Sequence, residues 1–349
     1  MSVRVGFVGA GRMATDHVAA LARVPGAEVV AMCDIVPGQV EAVPDAVRQR
    51  LTALGSDAEP PRPAAYTDVA GMVSRERLDA VYLCLPPAIR GDVETDLVRA
   101  GAALLVEKPV ALQLQIAGRV LAEMRQRGTI AASGYLYRYA SWARRARELV
   151  GDRVVGQVIS SRFARLPTRT GWYPHQSQSG GQLTETMTHQ VDLLRLLAGE
   201  VRTVFGAGSI RRNGAAGADD IFDVQSVALI FESGAVGSVS CNLLSPHRHQ
   251  WQVRVACEGF DLSIGHELRL RAFDGEGEID EPMAGDPLLE ENATFVQAVA
   301  EGRHELVKST YENGVRTLAV TLAADRSERT GAPVDVPALL RDEAGLMEA

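Results

Sequence analysis

The sequence of 349 residues predicts an α/β domain with a parallel sheet, followed by an α+β domain with a large, mostly antiparallel open sheet. In the first part of the chain, short apolar runs alternate with helical patterns, which is typical of parallel strands covered by helices on both faces. From about Tyr135, strand-like runs follow one another with short turns and no helices between them. We place the boundary between residues 133 and 134, which gives domains 1–133 and 134–349.

The first domain is predicted to consist of strand–helix units. Val3–Val8 is an apolar run that ends in a glycine-rich turn, and Thr15–Val24 is the predicted helix after it. Further apolar runs predict the other strands: Glu28–Cys33, Ala80–Leu85, Ala103–Val106 and Thr129–Ser133. The carboxyl ends of parallel strands share one edge of the sheet, and ligands bind at that edge. Residues just after these strands are therefore candidates for a binding site.

The second domain is predicted to be built on an open sheet. Its strand-like runs are Gly156–Ala164, Val201–Ile210, Val224–Phe231, Ala235–Leu243, Trp251–Cys257 and Phe260–Ile264. Ser233-Gly234, between two of these runs, is typical of a hairpin turn. Helical patterns return at Leu288–Ala300 and Tyr311–Thr330. Because an open sheet exposes one face, we expect association with further copies of the chain.

Composition and charge exclude several classes of protein. The formal net charge of −8 would repel nucleic acid and anionic membranes, so we expect neither as a partner. No apolar run approaches the roughly 18 residues of a membrane span, and the first residues lack the pattern of a signal peptide. The cysteines are scattered without paired spacing, which is typical of a reducing compartment. We therefore expect a cytoplasmic protein.

The turn after the first strand has the pattern of a dinucleotide-binding motif, Gly9-Ala10-Gly11-Arg12-Met13-Ala14. Gly9 permits a tight turn, Gly11 lets the main chain approach a pyrophosphate, and Ala14 lets the helix pack closely on the strand. A glycine-rich turn can also serve packing alone, but its position between strand and helix favours a Rossmann domain. The expected cofactor contacts in this turn are Gly9, Ala10, Gly11, Arg12 and Met13.

Asp34 ends the second predicted strand, where a dinucleotide-binding domain needs an acid for the ribose. A carboxylate accepts hydrogen bonds from the 2′-hydroxyl of NAD and repels the 2′-phosphate of NADP. The sequence therefore favours NAD, with NADP the less favoured alternative. Aspartate is also common in turns at strand ends, and that interpretation stays open. The neighbouring Ile35 is a further expected cofactor contact.

Two more strand ends carry candidate residues. Leu85-Pro86-Pro87 and Glu107-Lys108-Pro109 each follow an apolar run, so Leu85, Pro86, Glu107 and Lys108 are expected cofactor contacts. Lys108 is one of two lysines among 36 basic residues, and an ammonium exchanges a proton more readily than a guanidinium does. The proline after it fixes the local chain and can be cis. These features favour a functional lysine over an ordinary surface lysine.

A polar segment follows in the second domain. Gly180-Gly181 opens a predicted helix that ends before Gly199. Its apolar stripe consists of Leu183, Met187, Val191, Leu194 and Leu197. Glu185, His189 and Asp192 fall together on the other side, as either a solvated face or a binding face.

Glu185 and His189 also have the spacing of two metal ligands on one helix face. A third ligand would have to come from His175, His247 or His249, which the sequence cannot place. We therefore expect no metal site.

With these motifs, the sequence resembles the Gfo/Idh/MocA oxidoreductase family over nearly its whole length. The Glu-Lys-Pro tripeptide at 107–109 is the most specific part of the resemblance. It implies NAD(H)-dependent oxidation or reduction of a sugar or cyclitol carbon, with Lys108 holding the reacting hydroxyl and His189 as the acid/base. It also implies a homo-oligomer, a dimer or tetramer. The sequence departs from the family at Glu185, where Asp is usual, and at Arg90, where a histidine is common.

The chemistry of alcohol oxidation supports a catalytic trio of Lys108, His189 and Glu185. Removal of hydride from a CH–OH carbon requires the hydroxyl proton to leave, and a histidine suits that transfer. A nearby ammonium stabilises the developing alkoxide, and a carboxylate can orient either cation.

The expected substrate contacts are Lys108, Tyr137, Trp172, Glu185 and His189. Trp172 can stack on a sugar face, although it can equally be a packing residue or a nicotinamide contact. Weaker candidates lie near it in the chain or at the domain junction: Arg165, Arg169, Tyr173, His175, Tyr135 and Arg138.

Two rival functions keep the same fold. An NAD-dependent glycosidase or lyase would oxidise its substrate transiently and regenerate NAD, and an NAD-sensing regulator would bind the cofactor without catalysis. The presence of both Lys108 and His189 favours a dehydrogenase that acts on CH–OH groups.

Overall fold

The computed structural model describes residues 2–165, 171–211, 220–246 and 250–346. The chain forms two compact units. The first comprises Met1–Ala111, Ile116–Tyr139 and Asp286–Gly314, and the second comprises Leu112–Gln115, Ala140–Gly285 and Val315–Ala349. No helix among the described residues is both long enough and apolar enough to cross a membrane.

Strands and helices are numbered separately along the chain. The strands are β1 (Val3–Val8), β2 (Ala27–Cys33), β3 (Ala64–Tyr66), β4 (Ala80–Leu83), β5 (Ala103–Val106), β6 (Ala131–Ser133), β7 (Val155–Phe163), β8 (Val201–Ser209), β9 (Val224–Phe231), β10 (Val236–Asn242), β11 (Gln250–Cys257), β12 (Phe260–Ile264), β13 (Arg269–Phe273), β14 (Glu278–Pro282) and β15 (Val334–Asp335). The helices are α1 (Arg12–Leu21), α2 (Gln39–Ala53), α3 (Val69–Arg75), α4 (Asp92–Arg99), α5 (Leu114–Arg127), α6 (Ser141–Val150), α7 (Gln176–Ser179), α8 (Gly181–Glu185), α9 (Thr188–Ala198), α10 (Pro287–Glu301), α11 (Tyr311–Thr330) and α12 (Val336–Leu339).

The first unit contains the predicted parallel sheet. Its six strands have the order β3-β2-β1-β4-β5-β6, and every neighbouring pair is parallel. β1, β4 and β5 are almost entirely buried, as expected for strands covered on both faces. The predicted Rossmann-type fold is confirmed. The sequence did not predict β3, because it is only three residues long and two of them are exposed.

The core of the first unit includes a helix from much later in the chain. Phe7 on β1 stacks on Tyr82 on β4 with ring centroids 4.9 Å apart, and Phe295 on α10 meets the edge of Tyr82 at 5.5 Å. Phe295, Val296 and Ala298 of α10 are buried in the same cluster. The sequence placed residues 286–314 in the second predicted domain, whereas this apolar face of α10 packs them with the first unit.

The second unit contains a nine-stranded sheet with the order β14-β13-β12-β11-β7-β10-β9-β8-β15. Among the described strands, all neighbours are antiparallel except β7 and β10, which are parallel. The prediction of a mostly antiparallel sheet is confirmed. β13 and β14 were not predicted because charged residues alternate along them, as in Glu278–Pro282.

The predicted helix from Gly181 to Ala198 is interrupted. α8 ends at Glu185 and α9 begins at Thr188. The N–H groups of Thr186 and Met187 both donate to the carbonyl oxygen of Gln182, at 3.0 Å and 2.9 Å, so the helical register slips at this point. The prediction of one continuous helix was wrong. Threonines at alternate positions explain the break, because a branched Cβ restricts the side chain in a helix.

Glu328 on α11 is a partly buried carboxyl group in the second unit. Gln225 Nε2 on β9 donates to Glu328 Oε2 at 2.7 Å. Burial raises the pKa of Glu328 to about 7, against the lowering effect of the Gln225 hydrogen bond and assisted by the charge of Asp325. A carboxyl group whose pKa is higher in the folded state favours folding below its ordinary pKa. This contribution is lost as the pH rises through about 7.

The variant Glu328→Gln should therefore gain stability relative to the wild type as the pH rises from acidic values to above about 7. We expect a melting temperature roughly 2–4 °C higher at about pH 8.5 and little difference at about pH 5, since the amide resembles the neutral carboxyl. Calorimetry at both pH values measures this. Glu258→Gln, at an exposed position, is the control. An equal gain at both pH values would contradict the assignment.

Candidate active site

The turn after β1 has two glycines with different requirements. Gly9 has a φ of 91°, and a Cβ at this position would lie 2.6 Å from the carbonyl oxygen of Cys84. Gly9 is therefore required by the protein's own backbone. A Cβ on Gly11 would meet no atom within 4 Å, and the φ of Gly11, −76°, is open to any residue. Packing alone does not explain Gly11, so the space beside it is available to a ligand.

Helix α1 begins directly after Gly11 and has no side-chain cap. The first N–H groups of a helix lack intrahelical acceptors, and together with the helix dipole they attract anions. Gly11 and Arg12 are exposed at this end, whereas Ala14 is buried. The turn and helix end therefore fit the pyrophosphate of a dinucleotide.

Asp34 fixes the shape of this turn from the neighbouring strand. Its Oδ2 accepts a hydrogen bond from the Ala10 N–H at 2.8 Å, and its Oδ1 accepts one from the Val36 N–H at 2.9 Å. Asp34 thus does act as a turn residue. Each carboxylate oxygen has a further lone pair, and the side chain is only partly buried. Ile35 beside it is 83% exposed, an unusual position for a large apolar side chain.

The Glu107-Lys108-Pro109 segment follows β5 and is held from several sides. The Lys108–Pro109 bond is cis. Glu107 Oε2 accepts a hydrogen bond from the Lys108 N–H at 3.0 Å, and Glu107 Oε1 lies 3.0 Å from His17 Nε2. The other ring nitrogen of His17 pairs with the amide of Asn292 on α10. Lys108 is half-buried between buried neighbours.

Glu107 is ionised although it is buried. Burial raises the pKa of this carboxyl, but the hydrogen bond and charge of His17, followed by the charges of Lys108 and Arg90, outweigh burial and lower the pKa to about 2. An ionised carboxylate only accepts hydrogen bonds, so His17 Nε2 is the donor of the pair. Sequence reasoning missed His17 and Asn292. A lone histidine in an otherwise apolar helix pattern was the available signal for the first.

Arg90, the departure from the family pattern, is buried. Its Nε and Nη2 donate to the carbonyl oxygen of Leu85 at 3.1 Å and 2.5 Å, and its Nη1 donates to the carbonyl oxygens of Glu107 and Pro109. All three guanidinium nitrogens thus donate hydrogen bonds to main-chain carbonyl oxygens in the segments that follow β4 and β5. Burial lowers the pKa of this group.

In the second unit, Glu185 and His189 lie in a segment that is otherwise buried. From Ser179 to Arg195, all residues except Glu185, Thr186 and His189 are buried. The interpretation of this side as an ordinary solvated helix face is therefore wrong. Asp192 does not share the accessible side, because its Oδ1 accepts a hydrogen bond from Thr317 Oγ1 at 3.0 Å within the buried interior.

Glu185 is held by a short relay of hydroxyl groups. Thr186 Oγ1 donates to Glu185 Oε2 at 2.9 Å, and Tyr173 Oη lies 3.0 Å from the same Thr186 oxygen. Burial raises the pKa of Tyr173 to about 12, assisted by the charge of Glu185 and opposed by the Thr186 hydrogen bond. Tyr173 therefore stays a neutral hydroxyl group next to the carboxylate.

The glycine pair before this segment is required by close packing. Gly180 has a φ of 74°, and a Cβ there would approach Leu112 and Thr184 to 2.8 Å and 2.9 Å. Gly181 has a φ of 81°, and a Cβ there would lie 2.6 Å from Gln176 Oε1. The pair thus allows the chain to enter α8 against its neighbours within the second unit.

Comparison with known proteins agrees with these features. The family model "Oxidoreductase family, NAD-binding Rossmann fold" of Gfo/Idh/MocA proteins matches residues 3–135, and the Gfo/Idh/MocA C-terminal domain matches residues 143–261. The chain belongs to the Gfo/Idh/MocA family. The predicted NAD-dependent dehydrogenase is thereby confirmed at the level of an NAD-binding oxidoreductase.

Curated relatives span nearly the whole chain. The scyllo-inositol 2-dehydrogenase (NAD(+)) of Bacillus subtilis is 26% identical over 347 residues, covering 96% of both chains. The myo-inositol 2-dehydrogenase of Thermotoga maritima is 23% identical over 335 residues, covering 93% of this chain and 96% of the relative. Among solved structures, levoglucosan dehydrogenase in complex with NADH has a TM-score of 0.82 at 17% identity, covering 97% of this chain and 100% of that one. The last similarity shows the shared fold.

The predicted site residues of this Gfo/Idh/MocA protein are divided between the two units. The first unit holds Gly9, Ala10, Gly11, Arg12, Met13, Asp34, Ile35, Leu85, Pro86, Glu107, Lys108 and Tyr137, and the second holds Trp172, Glu185 and His189. Tyr135, a weaker candidate, is fully buried. Arg169, His247 and His249 lie outside the described residues. Within the described residues, no three His, Cys, Asp or Glu side chains are placed to bind a metal ion.

The buried Glu107–His17 pair gives a testable stability prediction. Glu107→Gln should lower the melting temperature at pH 7 by about 10 °C, because it removes the charged acceptor of a buried hydrogen-bonded pair. The pKa of Glu107 is lowered in the folded state, so the stabilisation is present above the ordinary carboxyl pKa and is lost as the pH falls toward about 2. The difference in melting temperature between variant and wild type should therefore be smaller at about pH 3.5, as measured by thermal unfolding at both pH values.

Glu28→Gln is the matched control, since Glu28 lies at the surface, with a 4.0 Å ion pair to Arg4 and a 3.4 Å hydrogen bond from Ser2 Oγ. Equal effects of the two substitutions would show that Glu107 is not ionised in the folded protein.

Proposed function

We propose that this protein transfers hydride between NAD and a secondary alcohol carbon of a sugar, cyclitol or related polyol. One observation carries the proposal. In the first unit, an uncapped helix end beside Gly11 and a lysine segment held by Glu107 both follow strands of the same parallel sheet. The names of the curated inositol dehydrogenases support the substrate class.

The cofactor contacts are proposed from the first unit. The N–H groups at Gly11, Arg12 and Met13 would hold the pyrophosphate, and Gly9 and Ala10 keep the turn in place. Asp34 would accept hydrogen bonds from the ribose, with Ile35 against the adenine side. Leu85, Pro86, Glu107 and Lys108 would border the nicotinamide. When bound, NAD supplies or accepts the hydride.

The protein's own residues supply the proton chemistry. We assign Lys108 to the reacting hydroxyl, where its ammonium stabilises negative charge on the oxygen. The imidazole of His189 takes the hydroxyl proton during oxidation and returns it during reduction. Glu185, held by Thr186, orients the imidazole. Tyr137 and Trp172 are the further proposed contacts with the polyol.

A panel of sugars and cyclitols with NAD and NADP tests this function. We expect one or more polyols to reduce NAD, with NADP a poorer cofactor. In Lys108→Met and His189→Ala, kcat/KM should fall at least roughly 100-fold because alkoxide stabilisation and proton transfer are lost. NADH binding, followed by fluorescence titration, should persist in both variants. Absorbance of the reduced cofactor reports turnover.

Lys308→Met removes the other lysine and serves as the control, with activity near that of the wild type. Near-normal turnover of His189→Ala would remove the acid/base assignment. Substrate cleavage without net NADH would indicate transient oxidation instead, and cofactor binding without any turnover would indicate a sensor.

We further propose that the open sheet binds a second copy of the chain. Alternate residues of β7, β8 and β9 point to the uncovered face, and several are apolar and exposed: Ile159, Phe163, Phe205 and Ile230. Between them lie small side chains such as Ala228, which pairs with Phe205 and Ser238 on neighbouring strands. An exposed face of apolar and small residues suits association with an identical face.

Sedimentation or light scattering at micromolar concentration should therefore show a dimer or a larger assembly. Ala228→Arg should shift it to the monomer because a charge would be buried in the contact. Val154→Arg, at a position 77% exposed and outside the strands, should leave the assembly unchanged. A monomeric wild type would rule out this contact.

A further inference from the structure

Arg90 joins two segments that follow different strands of the parallel sheet. On one side its Nε and Nη2 donate to the carbonyl oxygen of Leu85, two residues after β4. On the other side its Nη1 donates to the carbonyl oxygens of Glu107 and Pro109, after β5. The side chain is 7% exposed, so these bonds are shielded from water.

The shape of the guanidinium explains why one residue can make this connection. Its donors lie in a fixed planar fork, which can address acceptors on two sides at once. An imidazole has only two ring nitrogens, and an ammonium is a compact charge without a planar fork. A histidine, the residue that is common here in the family, could therefore not reproduce all of these contacts.

The charges around Arg90 favour its ionised form in this buried place. Burial lowers the pKa of Arg90, and the carboxyl groups of Glu94 and then Glu107 oppose this effect most strongly. Glu94 is itself held by the Gly91 N–H at 2.5 Å. The Arg90 charge thus has two buried carboxyl neighbours, while its hydrogen bonds go to main-chain oxygens.

The two carbonyl groups bound by Nη1 belong to the residues on either side of Lys108. The Lys108 N–H donates in the other direction, to Glu107 Oε2. The peptide group between Glu107 and Lys108 is therefore held at both its carbonyl oxygen and its N–H, and the main chain is held again at the Pro109 carbonyl, one residue after Lys108. The Lys108 side chain therefore extends from a main chain whose conformation is restrained by hydrogen bonds.

We propose that Arg90 is a positioning residue that sets the direction of the Lys108 side chain and ties it to the Leu85 segment. The catalytic consequence rests on the proposed function of Lys108. Because misplacement of a reacting group by about 1 Å can cost up to 100-fold in rate, loss of Arg90 should lower kcat far more than it weakens cofactor binding.

The scarcity of lysine allows a test that does not depend on turnover. With only Lys108 and Lys308 in the chain, reductive methylation with ¹³C-formaldehyde gives one dimethyl-lysine NMR signal for each, assigned with Lys308→Arg. In Arg90→Gln and Arg90→His, we expect the Lys108 signal to shift and broaden while the Lys308 signal stays. Circular dichroism verifies that the variants are folded.

Arg4→Gln is the matched control. Arg4 also donates to a main-chain carbonyl, that of Arg77 at 2.8 Å, but at the amino-terminal end of β1 in the same sheet. This substitution should leave both lysine signals in place. If Arg90→Gln does not fold, Arg90→Lys takes its place in the test. This variant retains the charge but reaches fewer acceptors. The additional methyl signal of the new lysine is identified by comparison with the wild type.

Kinetics provides the second readout. On a polyol that the wild type oxidises, kcat of Arg90→Gln should fall roughly 10- to 100-fold, with the NADH dissociation constant and KM changed less than about threefold. An unchanged Lys108 signal in a folded variant would overturn the proposal, as would losses of kcat and NADH affinity in equal proportion. If the wild type oxidises no polyol, the proposed function fails, and the NMR comparison still decides whether Arg90 positions Lys108.

Discussion

The ionised carboxylate of Glu107 is the constraint on which the Glu107-Lys108-Pro109 segment of the first unit depends. A buried charge is stable only when it is paired and hydrogen-bonded. Glu107 meets this requirement with His17 on one oxygen and the Lys108 N–H on the other. The need to satisfy the charge thus determines the conformation of the main chain at residue 108. A buried carboxylate therefore specifies the point from which the Lys108 side chain extends.

A second carboxyl group in the same core shows how strict this requirement is. Glu291 on α10 is fully buried, and neither of its side-chain oxygens hydrogen-bonds to a described residue. Burial and then the charge of Glu107 hold its pKa well above the usual range, so Glu291 is neutral. One of two neighbouring buried carboxyl groups carries charge because only that one has His17 and an N–H as partners. Helix α10 supplies both the neutral Glu291 and, at Asn292, the support for His17.

The sequence predicted the features that depend on local pattern. Strand periodicity, together with the common edge of a parallel sheet, was sufficient to select Asp34 and Lys108. It could not reveal the contacts of His17 and Arg90, because their partners lie 90 and 17 residues away in the chain. The break after Glu185 was also missed, since an ideal helix was assumed through three alternating threonines. Periodicity specifies a face, whereas satisfaction of buried polar groups depends on tertiary contacts.

Glu185 shows how a departure from the family pattern can be accommodated. Glutamate has one more methylene than the usual aspartate, and therefore one more rotatable bond to restrain. Thr186 supplies that restraint by donating to Glu185 Oε2, and Tyr173 in turn binds the threonine oxygen. The break between α8 and α9 places Thr186 outside both helices, so its hydroxyl is not committed to a preceding helical carbonyl. The break between the two helices, which the sequence did not predict, thus leaves the Thr186 hydroxyl group available to hold the Glu185 carboxylate.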